Sequence, residues 1–255
     1  MLHVEENWKP AFAQLNLGTC AAVSSYFSDL SGSSNGVEVR QRLITTPNGT
    51  ADVFFKRYVY EPASWKFLWR ASKARREAEN YGILARLGIR VAELIAWGEE
   101  RDAVGRLRFA LIITRAIPAA ATLPDYYETL RTVDPSRARR HRALILRELA
   151  GMTRKVHEAG FFHHDLVGRN ILVSATAEGE PLLYWIDCPR GAFDSWSPLR
   201  YRKRLRDLAG LDKSAVRLCS AAERVRFLHL YLDKSKLTAA DKQLARAVVK
   251  YRLEH

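Results

Sequence analysis

The sequence predicts an α+β fold in two lobes: a strand-rich N-terminal lobe (1–116) with one main helix, and a compact, mostly helical C-terminal lobe (117–255). Three observations carry this. Two runs of β-formers, Val37 to Ile44 and Asp52 to Tyr60, flank Pro47-Asn48-Gly49, and Asn-Gly between such runs is a hairpin signal. Arg115 to Pro124 is a Pro/Ala linker, the expected lobe boundary. Beyond it, Ala143, Leu144, Leu146, Leu149, Ala150 and Val156 supply the apolar side of a long helix from Ser136 to His157.

The other elements follow in order. The N-terminal stretch reads as strands with turns, and Ser31-Gly32-Ser33-Ser34-Asn35-Gly36 as a small loop before the hairpin. The hairpin places Lys56 on its second arm. From Ser64 the pattern turns helical, with Tyr81, Leu84 and Leu87 at helical spacing and Gly88 as the stop. Val91 to Trp97 and Leu107 to Thr114 look like a second strand pair. After the long helix, Ile171 to Val173 and Leu182 to Ile186 form a short hairpin around Glu178-Gly179. The remainder is helical. Ser220-Ala221-Ala222-Glu223 is a capping box, and Thr238-Ala239-Ala240-Asp241 resembles a second helix start.

Composition narrows the class. Of 255 residues, 47% are hydrophobic and 27% charged, an ordinary globular balance. Lys+Arg 41 against Asp+Glu 28 gives a net charge of +13, a field that attracts polyanions without choosing among them. Cys20, Cys188 and Cys219 are scattered, so neither a zinc site nor a disulfide framework is expected, and a reducing compartment fits. Met1 to Phe12 lacks the apolar core of a secretory signal, and no apolar run reaches the length of a membrane span.

The chemistry concentrates in His163-His164-Asp165-Leu166-Val167-Gly168-Arg169-Asn170 and in Ile186-Asp187. A carboxylate, an amide oxygen five residues later and a second carboxylate after an apolar strand suit phosphoryl transfer from a metal-bound nucleotide. Asp165 accepts the hydroxyl proton, and Asn170 and Asp187 hold magnesium on the phosphates. Such a site also needs a strand lysine on the phosphates and a helix glutamate to orient it. Lys56 lies mid-strand between large apolar residues. Glu77 and Glu79 both lie on the following helix. Periodicity favours Glu77, because Tyr81 and Leu84 follow it on one face. Gly32 and Gly36 bracket a loop whose N–H groups could cradle phosphates, and a plain solvent turn explains them as well.

These motifs resemble the protein-kinase-like superfamily and, within it, the lipopolysaccharide kinase family of Gram-negative bacteria. The resemblance rests on Phe55-Lys56-Arg57-Tyr58, Arg76-Glu77-Ala78, Leu87-Gly88-Ile89, Ala96-Trp97-Gly98 and Ile112-Ile113-Thr114. It continues through Gly160 to Asp165, Asn170-Ile171-Leu172, Ile186 to Arg190 and Arg206-Asp207-Leu208-Ala209-Gly210-Leu211. It implies a kinase that uses ATP and Mg2+ to phosphorylate a heptose or Kdo sugar of the lipopolysaccharide inner core. It implies Asp165 as base, Asn170 and Asp187 as magnesium ligands, Lys56 on the phosphates and Glu77 as its partner. Ile113 to Ala116, with Ile113 and Arg115 as contacts, is similar to the hinge that meets adenine through backbone groups.

Departures sharpen the expectation. His164 stands where many kinases carry an arginine that pairs with an activation-loop phosphate. Val167 replaces the lysine that serine/threonine kinases often place on the transferring phosphoryl group. Arg169 could supply that charge, or face solvent. Asp187-Cys188-Pro189 lacks the Phe-Gly of protein kinases, and proline there disfavours a large backbone flip.

No A-P-E motif follows Asp187, and a compact lobe suits a small or glycan-like acceptor better than an extended peptide. Arg137, Arg139, Arg140 and Arg142 read as a solvated helix face. Arg200, Arg202, Lys203, Arg204 and Arg206 follow the metal site closely and suit anionic groups of an acceptor. Trp196 and Tyr201 beside them suit a sugar, a lipid headgroup boundary or the core. The expected setting is the cytoplasm, with peripheral contact at the inner face of the inner membrane, an anionic glycolipid or sugar acceptor, and no nucleic acid. Competing readings are a kinase of another small molecule or of protein, and a pseudokinase that only binds partners. The intact Lys56, Asp165, Asn170 and Asp187 argue against the last.

Overall fold

The computed structural model describes residues 1–28, 36–47, 49–68, 70–194 and 196–255. The chain divides into two compact units, one of Met1–Gly82 with Ala92–Ile117, the other of Ile83–Val91 with Pro118–His255.

The first unit is built on an antiparallel sheet. Its strands are β1 (Leu2–Val4), β2 (Val37–Thr46), β3 (Gly49–Ser64), β4 (Leu94–Arg101) and β5 (Leu107–Arg115), in the order β1-β4-β5-β3-β2. β2 and β3 are the expected hairpin, in register from Val37 opposite Tyr58 to Thr46 opposite Gly49. Asn48 of its turn lies outside the described residues. α3 (Lys73–Arg86) is the expected helix, but it opens at Lys73 rather than at Ser64, which ends β3. It stops at Gly88, whose φ of +69° only glycine adopts without strain.

Two further helices, α1 (Lys9–Gln14) and α2 (Cys20–Ser28), correct the expectation of strands and turns near the N-terminus. α1 is a single short helix with Pro10 in its first turn. α2 opens where Thr19 Oγ1 accepts the N–H of Ala22 at 3.1 Å. Its Cys, Val, Ser and aromatic side chains are mediocre helix formers, and it has no charged face. Tertiary burial forms these helices: Trp8, Phe12, Val23 and Phe27 join Val53, Phe55, Ile95 and Ile113 in one core. Phe27 stacks on Phe55 at 4.7 Å. Alternation along β3 then turns Lys56 to the other face of the sheet.

The second unit carries α4 (Leu123–Thr129), α5 (Pro135–Glu158), α6 (Ser197–Leu218), α7 (Ala221–Leu232) and α8 (Ala239–Glu254). Its strands are short: β6 (Ala121–Thr122), β7 (Phe161–Phe162), β8 (Ile171–Ala175), β9 (Pro181–Trp185) and β10 (Ala192–Phe193). β8 and β9 form the expected hairpin, and β10 pairs with β7. Part of the stretch read as linker is ordered as β6 and the start of α4, capped by Thr122 Oγ1 on the N–H of Asp125. Both capping boxes form, at Ser220 with Glu223 and at Thr238 with Asp241.

Residues 83–91 cluster with the second unit, which differs from the division at 116/117. Arg90 O accepts the N–H of Trp185 at 2.9 Å, and the Arg90 guanidinium pairs with Glu148. The three cysteines are free thiols. Among the described residues no helix is long and apolar enough to cross a membrane.

Candidate active site

In the first unit, Lys56 Nζ lies 3.2 Å from Glu77 Oε2 and 3.5 Å from Oε1. Glu77 is buried at 3% exposure. It also accepts from Tyr58 Oη at 2.7 Å and from Tyr81 Oη at 3.2 Å. Burying a carboxylate is costly unless its oxygens are hydrogen-bonded, as they are here. Glu79 is exposed and pairs with Arg75 at 2.8 Å, one turn earlier on α3. The geometry therefore pairs Lys56 with Glu77.

In the second unit, β7 runs into the loop from His163 to Asn170. The Asn170 amide Nδ2 donates to Asp165 O at 2.8 Å and to Asp165 Oδ2 at 3.3 Å, which leaves Oδ1 as its acceptor. Asn170 O accepts the N–H of Ile186 at 3.0 Å, placing Asp187 one residue beyond. Asp165 and Asp187 thus flank the buried Asn170. Arg169 Nη2 is 3.6 Å from Asp165 Oδ2, with its side chain 70% exposed, a loose contact. His164 and Asp187 sit at φ of +67° and +57°, left-handed backbone that is uncommon outside glycine. The His164 N–H is taken by Asp207 on α6 at 2.8 Å.

The main holder of the loop is Asp207 on α6. It is 1% exposed, and its two carboxylate oxygens accept the N–H groups of His163 and His164, both at 2.8 Å. Burial alone would raise its pKa, but bonds from His157 and from the His163 backbone hold it below the usual range. His157 Nε2 lies 3.3 Å from Asp207 Oδ2, and its Nδ1 lies 2.8 Å from Tyr231 Oη. Tyr231 Oη also accepts Arg204 Nε–H at 2.6 Å, so a polar chain runs from α6 through α7 and α5 to the loop. Burial lowers the pKa of His163 and takes His164 down to about 4. Both are neutral near pH 7, and His163 Nε2 donates to Ile186 O at 3.2 Å.

Gly210 lets α6 approach the loop. A Cβ there would stand 2.5 Å from Leu166 O. Asp207 lies within the Arg206–Leu211 motif, whose spacing does not mark it as a site residue. It is one of two acids, with Asp212, in the basic helical stretch that also contains Gly210.

Other expected contacts fare differently. Ile113 is fully buried in β5 between β3 and β4, and Arg115 N–H is taken by Glu93 O at 2.9 Å. Gly36 has φ of +72°, and its carbonyl accepts Val59 N–H at 2.8 Å, closing the end of the hairpin. Gly32 lies outside the described residues. In the first arginine cluster, Arg142 is structural, gripping Glu223 through Nε at 2.7 Å and Nη2 at 2.8 Å. In the second, Lys203 pairs with Asp194 at 2.9 Å.

The donors available in the second unit fit magnesium. One amide oxygen and one carboxylate are hard ligands, and Mg2+ is commonly held by one or two protein oxygens together with substrate phosphates and water.

The model of the lipopolysaccharide kinase (Kdo/WaaP) family matches residues 62–246. No curated protein is matched. A solved structure described as WaaP in complex with acyl carrier protein is similar over 100% of this chain and 97% of its own, at 21% identity and a TM-score of 0.69. Two crystal structures of the Mycobacterium tuberculosis PknI kinase domain match 86% of the chain at TM-scores of 0.46 and 0.45, with 16% and 18% identity.

Proposed function

The chain belongs to the lipopolysaccharide kinase (Kdo/WaaP) family, phosphotransferases acting on sugar hydroxyls, and from that premise we propose that it transfers the γ-phosphate of ATP to a heptose or Kdo hydroxyl of the inner core. One observation carries the assignment of roles: Asn170 holds Asp165 by its amide and the Ile186-Asp187 segment by its carbonyl.

Asp165, with its side chain 36% exposed, accepts the proton of the sugar hydroxyl as that oxygen attacks phosphorus. The fixed Asn170 amide keeps Asp165 Oδ2 in one orientation, which favours a near-attack geometry. Asn170 Oδ1 and Asp187 are the residues that would hold Mg2+. The metal supplies charge neutralisation on the phosphates when bound. Lys56, oriented by Glu77, binds nucleotide phosphates. Arg169 lies beside Asp165 and adds positive charge where the phosphoryl group passes.

An acyl carrier protein partner belongs to the same proposal. WaaP was captured with one. The second unit of this chain holds an apolar cavity of about 260 Å³ lined by Leu146, Leu149, Leu208 and Phe227, which suits an acyl group. Peripheral contact with the inner membrane follows from a lipid-borne acceptor.

The test is phosphate transfer from Mg-ATP to delipidated core oligosaccharide, read by mass spectrometry. A mass gain of one phosphoryl group on a heptose or Kdo residue supports the proposal. Transfer to neither sugar overturns it.

A further inference from the structure

Around the start of α6 the chain carries an arrangement that phosphoryl transfer does not use. Trp196 is 63% exposed and Leu199 39%, and Tyr201 is half-exposed beside them. Water is a poor partner for an exposed indole and an exposed isobutyl group. Five cations follow within a few residues, and only Lys203 has a carboxylate partner among the described residues. Arg200 reaches the carbonyls of His157 and Glu158, at 3.3 and 3.4 Å. Arg204 donates to Tyr231. Arg202 and Arg206 form no hydrogen bond or ion pair among the described residues, and Arg202 is exposed. Leu199, Arg202 and Arg206 recur at i, i+3 and i+7 and so share one side of the helix. Arg154, Arg200, Arg204 and Tyr201 also line an open concavity of about 480 Å³.

We propose that this segment docks the protein on a bilayer surface rich in anionic lipid. Trp196 and Leu199 enter the headgroup boundary, and the unneutralised arginines meet lipid phosphates. An amphipathic aromatic ring suits that boundary. Guanidinium groups match phosphate geometry, and a basic stretch gains from the negative surface potential of the membrane. The apolar part is a small wedge and the charge is of one sign, which favours a lipid surface over an extended protein interface. The proposal rests on the lipopolysaccharide kinase reading only for the reason that the acceptor is lipid-borne.

The test uses the full chain and vesicles of phosphatidylethanolamine with phosphatidylglycerol, against vesicles of phosphatidylcholine alone. Wild type is expected to sediment with the anionic vesicles, to leave the neutral ones in solution and to be released by added salt. Trp196→Ser/Leu199→Ser is expected to bind anionic vesicles about tenfold more weakly. Its kcat/KM on soluble delipidated oligosaccharide should match wild type, while its rate on vesicle-embedded lipopolysaccharide falls. Because both side chains are exposed, its melting curve should also match. Wild type that ignores anionic vesicles, or a variant that binds them equally well, overturns the proposal. So does a variant whose defect appears on the soluble acceptor, because that places the two residues in the sugar site. Failure of the kinase reading looks different: no transfer by wild type to either acceptor, with vesicle binding still lost in the variant.

Discussion

In the first unit a charge pair fixes the candidate side chain: Lys56 sits 3.2 Å from Glu77, which two tyrosine hydroxyls also hold. In the second unit the functional carboxylates are aimed by backbone. Asp165 follows a residue at φ of +67°, Asp187 is itself at φ of +57°, and a buried carboxylate on α6 pins the N–H groups at the start of the loop. The first arrangement tolerates loss of one partner, because Tyr58 and Tyr81 still solvate Glu77. The second does not, because two buried N–H groups share one acceptor residue. Side-chain positioning is local and graded, whereas backbone positioning is held at one point and fails together.

The sharpest way to break this contrast is Asp207→Ala. Two buried N–H groups lose their acceptor at about 1–3 kcal/mol each, and kcat should fall by roughly 10²-fold or more through misplacement of Asp165. Thermal melts and steady-state kinetics read both effects. Full activity in this variant would show that the loop holds itself.

Next in size is the first unit. Glu77→Gln keeps acceptor capacity for the tyrosines but removes the charge that orients Lys56. Nucleotide affinity should weaken by about tenfold, with a far smaller change in melting temperature than Asp207→Ala. Titration with Mg-ATP checks this, and equal losses of stability in the two variants would erase the difference between the units.

Gly210→Ala comes third. Its Cβ would press on Leu166 O at 2.5 Å, so α6 must withdraw from the loop. The cost should be about 1–3 kcal/mol, with kcat falling more than the KM for ATP rises.

The smallest effect is the pH dependence of His164. Its folded-state pKa of about 4 lies below the ordinary histidine value of about 6.5, so the unfolded chain binds more protons between the two. Stability should fall as pH drops through that window, by on the order of 1–2 kcal/mol, and level off below it. His164→Asn accepts the left-handed backbone and should flatten the slope of melting temperature between pH 7 and 4. An unchanged slope would place the acid sensitivity elsewhere.

Much of this was readable in the sequence because the signals are local. The hairpin around Lys56, the helix ended by Gly88, the capping boxes and the spacing of Asp165 to Asn170 each depend on residues within a few positions of one another. Glu77 was favoured over Glu79 by periodicity, and burial beside Tyr58 and Tyr81 explains why. What escaped notice depends on contacts far apart in the chain. α1 and α2 are short and carry no helical apolar period of their own length to announce them, and Phe27 and Phe12 pack in one core with Val53 and Phe55 of β3. Asp207 acts on residues more than forty positions earlier, and nothing in its local sequence separates it from Asp212 on the same helix.

The central claim is that the Asp165–Asn170–Asp187 constellation performs phosphoryl transfer to a core sugar. Transfer of labelled γ-phosphate from Mg-ATP to delipidated core oligosaccharide, wild type beside Asp165→Ala, tests it most directly. The account predicts labelled heptose or Kdo with wild type and a rate about 10²–10⁴-fold lower with Asp165→Ala, at nearly unchanged ATP affinity. Equal transfer by the two proteins would contradict it.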